Sequence, residues 1–227
     1  MQAETLTRMA SPQSDPKFSI IIVNYNGGAY LQAALDSLKA QTIRDFEVIC
    51  VDNASTDGSV EGLDTSGLPS FELIRSNENL GFAAGNNRAI KTAKGQWICL
   101  LNPDAVAETR WLESIAAGIE RHPACNVFAC AQFMLEDPSR LDGAGDAFLV
   151  FGIPWRGGFE RPATELPGEG TCFSPCGASA IFRRETFMEH GGYDERFFCY
   201  CEDVDLGYRM QLAGEDCVFL PDARIAH

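Results

Sequence analysis

Three short apolar runs, each of which ends abruptly in a polar cluster, constrain the fold of this chain more than any other feature. The runs are residues 18–23, 46–51 and 97–101. Their length and unbroken apolar character fit strands that are covered on both faces, as in a parallel sheet. Because the segments between them carry apolar residues at helical spacing, strands and helices alternate along the chain. The sequence therefore predicts an α/β fold with a mostly parallel central sheet flanked by helices.

The polar clusters that follow these runs occupy residues 24–28, 52–58 and 102–104. Pro103 cannot donate to a strand ladder and biases Asn102 toward an extended backbone, so the chain leaves the sheet there and carries Asp104 on the exit loop. Ligands of open α/β sheets bind at this carboxyl edge of the strands. Taken alone, Asn, Pro and Asp are equally typical of an ordinary surface loop.

The character of the chain changes after residue 132. Residues 136–177 are rich in Gly and Pro and contain Phe148, Phe151, Trp155 and Phe159. A structureless loop of this length is uncommon in a compact domain unless it is functional, so we expect short strands and a substrate-facing surface. The alternative is that these aromatic residues simply pack on the core.

An acidic segment, Glu202, Asp203 and Asp205, lies where a helix extending to Gly214 begins. Carboxylates at that position face the unpaired amides and the positive end of the helix dipole, so we expect at least one of them to cap the helix. Three carboxylates exceed what a cap needs. The segment is therefore also a candidate for chemistry.

Charge limits the class of partner. The chain has 18 basic and 32 acidic residues, a net charge of −14, and offers no basic stripe for a nucleic-acid backbone. Acidic clefts instead suit divalent cations, through which a substrate phosphate can be held.

The cysteines indicate a reducing compartment. Their number, 9, is odd, and Cys50, Cys99 and Cys130 fall in apolar runs, where a free cysteine behaves as a small hydrophobe. A zinc site is the alternative for four others, but neither pair has the two-residue gap of common zinc knuckles. Those pairs are Cys172 with Cys176 and Cys199 with Cys201.

Residues 1–17 contain no apolar core of signal-peptide length, and no later run approaches the ~20 residues of a membrane span. The opening stretch is polar and interrupted by proline. We therefore expect residues 1–17 to be a disordered lead-in and residues 18–227 to form a single domain.

In order and spacing, the motifs of this chain resemble family 2 of the inverting nucleotide-sugar glycosyltransferases, and are most similar to its bacterial rhamnosyltransferase-like members. The resemblance runs from residue 18 to residue 227. The matching pieces are residues 23–26, 51–59, 79–82 with 86–87, 101–104, 183–195, 200–206 with Arg209, and 221–227.

The resemblance implies a GT-A fold, with a Rossmann-like sheet and two functional halves. Residues 18–131 would bind the nucleotide sugar. The Gly/Pro-rich half, residues 132–227, would bind the acceptor and carry the catalytic group. Members of the family usually continue with a closing helix, so we expect the acceptor side to be truncated at His227.

The resemblance also implies a nucleotide pocket in which Asp52 contacts the base or ribose. Asn102 stands where the metal motif of the family usually has its first Asp, which leaves the role of that position open. The implied nucleotide-binding residues are Asn24, Asn26, Asp52, Gly81, Asn87 and Asn102.

By the same resemblance, Asp104 and His227 would hold a diphosphate-bound Mn²⁺ or Mg²⁺, and Asp203 would be the general base. Glu202 and Trp155 would lie on the acceptor side. A carboxylate ionised at neutral pH can take the proton of an attacking hydroxyl, and a metal offsets the charge that develops on a departing diphosphate. One displacement would then invert the anomeric carbon.

The implied function is transfer of a sugar from dTDP-rhamnose or a UDP-hexose to a saccharide or lipid-linked saccharide of the bacterial cell envelope, in the cytoplasm at the inner face of the membrane. Two alternatives stay open. A non-catalytic nucleotide-sugar-binding module would use Asp203 only as a helix cap. A sugar nucleotidyltransferase usually has a Gly-rich, basic phosphate loop, and the turn at residues 26–28 has no basic residue.

Overall fold

The computed structural model describes residues 15–227. The lead-in expected over residues 1–17 therefore lies almost entirely outside the described residues. Lys17, at the end of that stretch, is tied to the sheet, because its carbonyl accepts a hydrogen bond from the Trp97 N–H at 3.0 Å.

Helices and strands alternate in the first half of the chain, and short strands dominate the second. The helices are α1 (Gly28–Lys39), α2 (Gly81–Ile90), α3 (Trp111–Arg121), α4 (Arg184–Glu189) and α5 (Glu202–Leu212). The strands are β1 (Phe18–Asn24), β2 (Phe46–Asp52), β3 (Phe71–Arg75), β4 (Trp97–Leu100), β5 (Val106–Ala107), β6 (Val127–Phe133), β7 (Leu141–Ala144), β8 (Asp146–Leu149), β9 (Ile153–Arg156), β10 (Gly170–Cys172), β11 (Ala180–Arg183) and β12 (Cys217–Ala226).

One large sheet forms the centre of the molecule, in the order β10, β12, β6, β11, β4, β1, β2, β3. Strands β4, β1, β2 and β3 are parallel neighbours, and β12 is parallel to β6. Strand β11 enters antiparallel between β4 and β6, and the other antiparallel partners are short strands. The predicted α/β fold, with a mostly parallel central sheet flanked by helices, is confirmed.

The core has two layers, one on each face of the sheet. Helices α1 and α3 cover one face, where Leu35 and Trp111 pack with Ile20. Helices α2, α4 and α5 cover the other, where Leu206 packs in the cluster that contains Ile21. Side chains of a strand alternate between faces, which is why the unbroken apolar runs are needed. Each buried side chain of this size contributes ~1.5–3 kcal/mol.

The Gly/Pro-rich segment forms short strands, as predicted. Among them, β8 and β9 pair with each other as a separate hairpin. Its tip is apolar and exposed, with Val150 at 93% and Phe151 at 85% exposure. Phe148, at the base, instead stacks on Phe173 with ring centroids 4.8 Å apart.

Some element boundaries differ from the sequence predictions. Helix α2 begins at Gly81 instead of residue 83, because the Asn79 side chain accepts the Gly81 N–H at 2.9 Å. Helix α5 begins at Glu202 and ends at Leu212, short of residue 214. Strand β12 was not predicted, since Pro221 interrupts its apolar pattern. The pairing with β6 shifts register at this point, and such irregularities accommodate proline.

Candidate active site

The carboxyl ends of β1 and β2 are joined by a buried polar network. Asn24 and Asp52 are in register on these parallel strands, and the Asn24 Nδ2 donates to Asp52 Oδ1 at 3.3 Å. The same nitrogen lies 3.0 Å from Ser55 Oγ and 2.9 Å from Ser59 Oγ. Asp52 is 3% exposed. The network therefore holds the Asp52 carboxylate in one position at the edge of the sheet.

The loops after β1 and β2 are also joined directly. Asn26 has a left-handed backbone, with φ at +53°, which Asn tolerates better than most residues. Its Oδ1 accepts the Thr56 N–H at 2.8 Å, and its own N–H donates to Ser55 Oγ at 2.9 Å. A Cβ at Gly27 would lie 2.3 Å from Asn24 Oδ1, so only glycine fits there.

Helix α2 contributes two more of the predicted nucleotide-binding residues. Gly81 has φ at +81°, and a Cβ there would lie 2.3 Å from the Phe198 carbonyl oxygen. Asn87 is engaged elsewhere, since its Nδ2 donates to the Tyr193 carbonyl at 2.8 Å and its Oδ1 accepts the Tyr193 N–H at 3.0 Å. Asn87 thus fastens α2 to the segment before α5. Its contact with a nucleotide stays a prediction.

The predicted metal ligands meet beyond the end of β4. His227 Nε2 lies 3.5 Å from Asp104 Oδ1 and 3.1 Å from Asn102 Nδ2. His227 is held by the edge of β6, because its N–H donates to the Phe133 carbonyl at 2.8 Å and its carbonyl accepts the Leu135 N–H at 2.9 Å. The fold thus brings Asn102, Asp104 and His227 together.

Asp142, which the sequence analysis missed, orients the histidine. Its Oδ2 accepts the His227 Nδ1–H at 2.9 Å, and both of its oxygens lie 3.0 Å from Arg156 Nη1. Since Nδ1 carries the proton given to the carboxylate, Nε2 is the nitrogen left for a ligand role. No local signal marks Asp142, because its partners are distant in sequence.

The charges at this junction shift two pKa values. The hydrogen bond from His227 lowers the pKa of Asp104, against the effect of burial. Burial alone would lower the pKa of His227, but hydrogen bonds and charges from Asp104 and Asp142 outweigh it and raise the pKa to about 9. The carboxylates of Asp104 and Asp142 on either side of the His227 imidazole favour positive charge at this site. The carboxylate oxygen and imidazole nitrogen therefore fit a divalent cation that takes its other ligands from a diphosphate and water.

Three further features of the described chain concern metal clusters, thiols and membrane-spanning helices. Within residues 15–227, no group of three or more His, Cys, Asp or Glu side chains is placed to hold a metal ion. The thiols in this range are free, and Cys172 Sγ lies 3.4 Å from Cys217 Sγ. None of the helices described over the same range has the length and apolar character needed to cross a membrane.

Asp203 is held at the start of α5 from two sides. The predicted acidic cap is wrong, because Cys201 is the N-cap residue of α5 and makes no side-chain capping hydrogen bond. The Asp203 Oδ1 instead accepts the N–H of the next residue, Val204, at 2.8 Å. Its Oδ2 accepts the Gly177 N–H at 2.8 Å from another segment. Asp205 instead pairs with Arg209 at 2.8 Å. Asp203 is thus fixed by amides of two separate segments.

A cleft of about 480 Å³ contains the metal, base and acceptor-side candidates together. Trp155 is 60% exposed on β9, and Glu202 is 4% exposed at the start of α5. The predicted residues that line this cleft are Asn102, Asp104, Trp155, Glu202, Asp203 and His227. The other nucleotide candidates, at the ends of β1 and β2 and on α2, lie outside it.

Two buried carboxyl groups line the same cleft. Burial, followed by the charge of Asp203, raises the pKa of Glu202 to about 7. Asp146, which the sequence analysis missed, is 8% exposed, and burial followed by the charge of Asp203 raises its pKa to about 7 against the effect of Arg156. The only sequence signal for Asp146 is its place as the last charged residue before the long uncharged stretch of the hairpin.

The fold and this cleft define an α/β protein with a mostly parallel sheet, polar loops at the carboxyl ends of its strands, and a cleft lined by the Asp104–His227 pair and Asp203. The chain belongs to glycosyl transferase family 2, whose family model matches residues 19–191. It is 31% identical to the N-acetylglucosaminyl-diphospho-decaprenol L-rhamnosyltransferase of Mycobacterium tuberculosis, over 92% of this chain and 75% of that protein. It is also 31% identical to the O-antigen biosynthesis protein RfbC of Myxococcus xanthus, over 93% of this chain and 17% of that protein. The resemblance predicted from the motifs is confirmed.

Solved structures show the same fold. GalNAc-T7 with UDP, GalNAc and Mn²⁺ superimposes with a TM-score of 0.77 at 20% identity, over 93% of this chain and 44% of that one. The mannosyltransferase PcManGT of Pyrobaculum calidifontis, in complex with GDP-Man and Mn²⁺, superimposes with a TM-score of 0.68 at 21% identity, over 95% of this chain and 58% of that one. This chain therefore spans less than two thirds of either solved chain. The predicted GT-A fold is confirmed.

Proposed function

We propose that this chain transfers a sugar from a nucleoside-diphosphate donor to an acceptor hydroxyl by a metal-dependent, inverting displacement. One observation carries the proposal: the Asp104–His227 pair and the doubly held Asp203 carboxylate line the same cleft. The amides of Val204 and Gly177 fix Asp203 within that cleft.

The donor nucleotide would lie at the ends of β1 and β2. There the Asp52 carboxylate, held by Asn24, would accept hydrogen bonds from the base or ribose. Asn26 would shape the loop, and Gly81 and Asn87 would border the nucleotide from α2. The name of the mycobacterial relative favours a rhamnosyl donor such as dTDP-rhamnose. UDP-hexoses are the second class, since solved neighbours hold UDP.

Asp104 and His227 would hold Mn²⁺ or Mg²⁺ against the diphosphate, with Asn102 beside them. When bound, the ion supplies positive charge that offsets the negative charge developing on the leaving diphosphate. Asp142 supports this geometry, because it holds the His227 Nδ1–H and so keeps Nε2 on the side of Asp104.

Asp203 would act as the general base. Each of its oxygens accepts one amide hydrogen bond, which leaves further lone pairs for the attacking hydroxyl. As the hydroxyl oxygen bonds to the anomeric carbon, its proton passes to Asp203 and the bond from that carbon to the diphosphate breaks. The anomeric configuration inverts in this single step, and the sugar forms no covalent intermediate with the protein.

The acceptor would be a saccharide or a lipid-linked saccharide, bound against Trp155 and Glu202. The β8–β9 hairpin supports a lipid-linked acceptor, because its exposed apolar tip, with Val150 and Phe151, continues into Trp155 at the cleft. An uncharged apolar tip of this kind fits the interface of a bilayer. We therefore also propose peripheral contact with the cytoplasmic face of the membrane.

The test is release of nucleoside diphosphate from dTDP-rhamnose and from UDP-hexoses, with Mn²⁺, with and without an N-acetylglucosaminyl diphospholipid. Acceptor-dependent release is expected for the wild type, and Asp104→Ala should lose the metal-dependent part of both turnover and nucleotide affinity. Asp137→Ala, an exposed acidic residue outside the cleft, is the matched control. Nucleotide-sugar binding without any release would favour the non-catalytic module, and full activity of Asp104→Ala would exclude the assigned metal site.

A further inference from the structure

The backbone of Asp146 is fixed by hydrogen bonds, whereas its side chain has no hydrogen-bond partner in the described chain. It begins β8, its N–H donates to the Ser174 carbonyl at 2.9 Å, and its carbonyl accepts the Phe173 N–H at 2.8 Å. The residue is 8% exposed, and its side chain accepts no hydrogen bond from any of residues 15–227. Oδ1 is sealed from solvent without a partner. Oδ2 is therefore the oxygen that can face the cleft that Asp146 lines.

Such a carboxyl group is costly for the fold. A buried acceptor without a partner loses its hydration and gains no hydrogen bond in return, so stability alone would favour a small apolar residue at this position. Within residues 15–227, the backbone of Asp146 makes hydrogen bonds that hold β8 in place, and its carboxyl group adds none. We therefore expect the Asp146 carboxyl group to hydrogen-bond a molecule other than this chain.

The neighbours of Asp146 indicate the kind of partner. Asp146 is directly opposite Arg156 in the β8–β9 ladder, and Arg156 is bound to Asp142. Asp203 is close enough for its charge to act on Asp146. Exposed Trp155 adds an aromatic face to the same cleft. A carboxyl group beside an aromatic face is well suited to a sugar ring, which offers hydroxyls that both donate and accept hydrogen bonds, and apolar ring faces.

We propose that Asp146 is an acceptor-binding residue, whose carboxyl group hydrogen-bonds a hydroxyl of the acceptor sugar and so determines which hydroxyl reaches Asp203. The inference rests on the proposed function and adds to it a residue that sets acceptor specificity. The partly protonated state that burial gives Asp146 near neutral pH suits this role, since the group can then donate as well as accept.

The experiment is steady-state transfer with dTDP-rhamnose or the UDP-hexose that gives turnover. The N-acetylglucosaminyl diphospholipid is varied at saturating donor, and the donor is then varied at saturating acceptor. Asp146→Ala should raise the acceptor KM by about tenfold or more, the effect of one lost hydrogen bond to a polar group, and leave kcat and donor KM within about threefold. Asp146→Asn, which keeps a donor and an acceptor, should restore most of the acceptor affinity. The melting temperature of Asp146→Ala should not fall, because no hydrogen bond within the described chain is lost.

Ser174→Ala is the matched control, since Ser174 is fully buried beside Asp146, has an unpartnered hydroxyl and does not line the cleft. An unchanged acceptor KM in an active Asp146→Ala protein would overturn the inference alone. A loss confined to kcat would overturn it too, because it would make Asp146 part of the chemical step. Should the alanine variant unfold, Asp146→Ser takes its place in the same comparison. A wild type that releases no nucleoside diphosphate with any of these donors would instead overturn the proposed function, and the inference with it.

Discussion

Asp142 accepts the Nδ1–H of His227 at 2.9 Å, across 85 positions of sequence. A residue of the Gly/Pro-rich half thereby decides which histidine nitrogen faces Asp104. Carboxylates that hold the second nitrogen of a metal-binding histidine fix its tautomer and its direction, and their loss typically costs ~10–100-fold in metal affinity.

We therefore expect Asp142→Ala to weaken Mn²⁺-dependent binding of nucleoside diphosphate by ~10–100-fold and to leave metal-independent binding unchanged. Calorimetry with and without Mn²⁺ measures both. Asp222→Ala, an exposed acidic residue near the middle of β12, is the control. Equal losses with and without the metal would show that Asp142 supports the fold and not the histidine.

Asp52→Ala should weaken the binding of the nucleotide sugar and of the free nucleoside diphosphate by similar factors, on the order of 10-fold or more. Both ligands carry the base and ribose that Asp52 is proposed to hold. Titration of both ligands checks this result. Asp45, exposed at the opposite end of β2, provides the control variant Asp45→Ala. An effect on the sugar donor alone would place Asp52 near the sugar and contradict the assignment.

Asp203→Asn should lower kcat by ~10²–10⁴-fold and leave donor affinity near that of the wild type. The amide keeps the shape and can still accept hydrogen bonds from Gly177 and Val204, but it cannot take the acceptor proton. Turnover, donor affinity and melting temperature are measured together. Asp205→Asn is the matched control, two residues further along α5, where the side chain pairs with Arg209. Normal turnover of Asp203→Asn would exclude Asp203 as the general base.

The raised pKa of Glu202 predicts that the stability of the fold depends on pH. Its pKa rises on folding from its ordinary value of 4.5 to about 7, because burial and the charge of Asp203 disfavour the ionised form. The folded chain therefore binds this proton more tightly than the unfolded chain. The stabilisation is fully present below pH 4.5 and is lost as the pH rises through about 7.

Glu202→Gln stays neutral at every pH, so its stability relative to the wild type should increase between about pH 5 and pH 8, on the order of 2 kcal/mol. Urea denaturation at several pH values measures the difference. Glu185→Gln, at an exposed position in α4, should show no such trend. A constant difference between Glu202→Gln and the wild type would mean that Glu202 is ionised in the fold.

The hairpin tip predicts binding to lipid. Phe151→Ser should lower the partition of the protein onto phospholipid vesicles by about tenfold or more, since burial of a phenylalanine side chain contributes ~1.5–3 kcal/mol. Its activity on a water-soluble acceptor should stay unchanged. Leu212→Ser is the control, because Leu212 is an exposed apolar residue, at 74%, at the end of α5. Equal sedimentation of the wild type and Phe151→Ser with vesicles would rule out the tip as a membrane contact.

Local sequence determined much of this protein. The apolar runs at residues 18–23, 46–51 and 97–101 predicted β1, β2 and β4, because a strand covered on both faces needs apolar side chains in both directions. The polar residues after them are at one edge of the sheet, because β1, β2 and β4 run parallel. The motif order also predicted the family, which the family model confirms.

Only the tertiary structure decided how the two halves meet. The sequence of β12 contains Pro221 within its pattern, and its pairing with β6 is what carries His227 to Asn102 and Asp104. Asp142 had no local signal, because its partners are distant in sequence, and Asp146 had only its place before the uncharged stretch of the hairpin. A local pattern reports which face of an element is buried, whereas the partner of a polar side chain depends on the register between strands that are far apart in sequence.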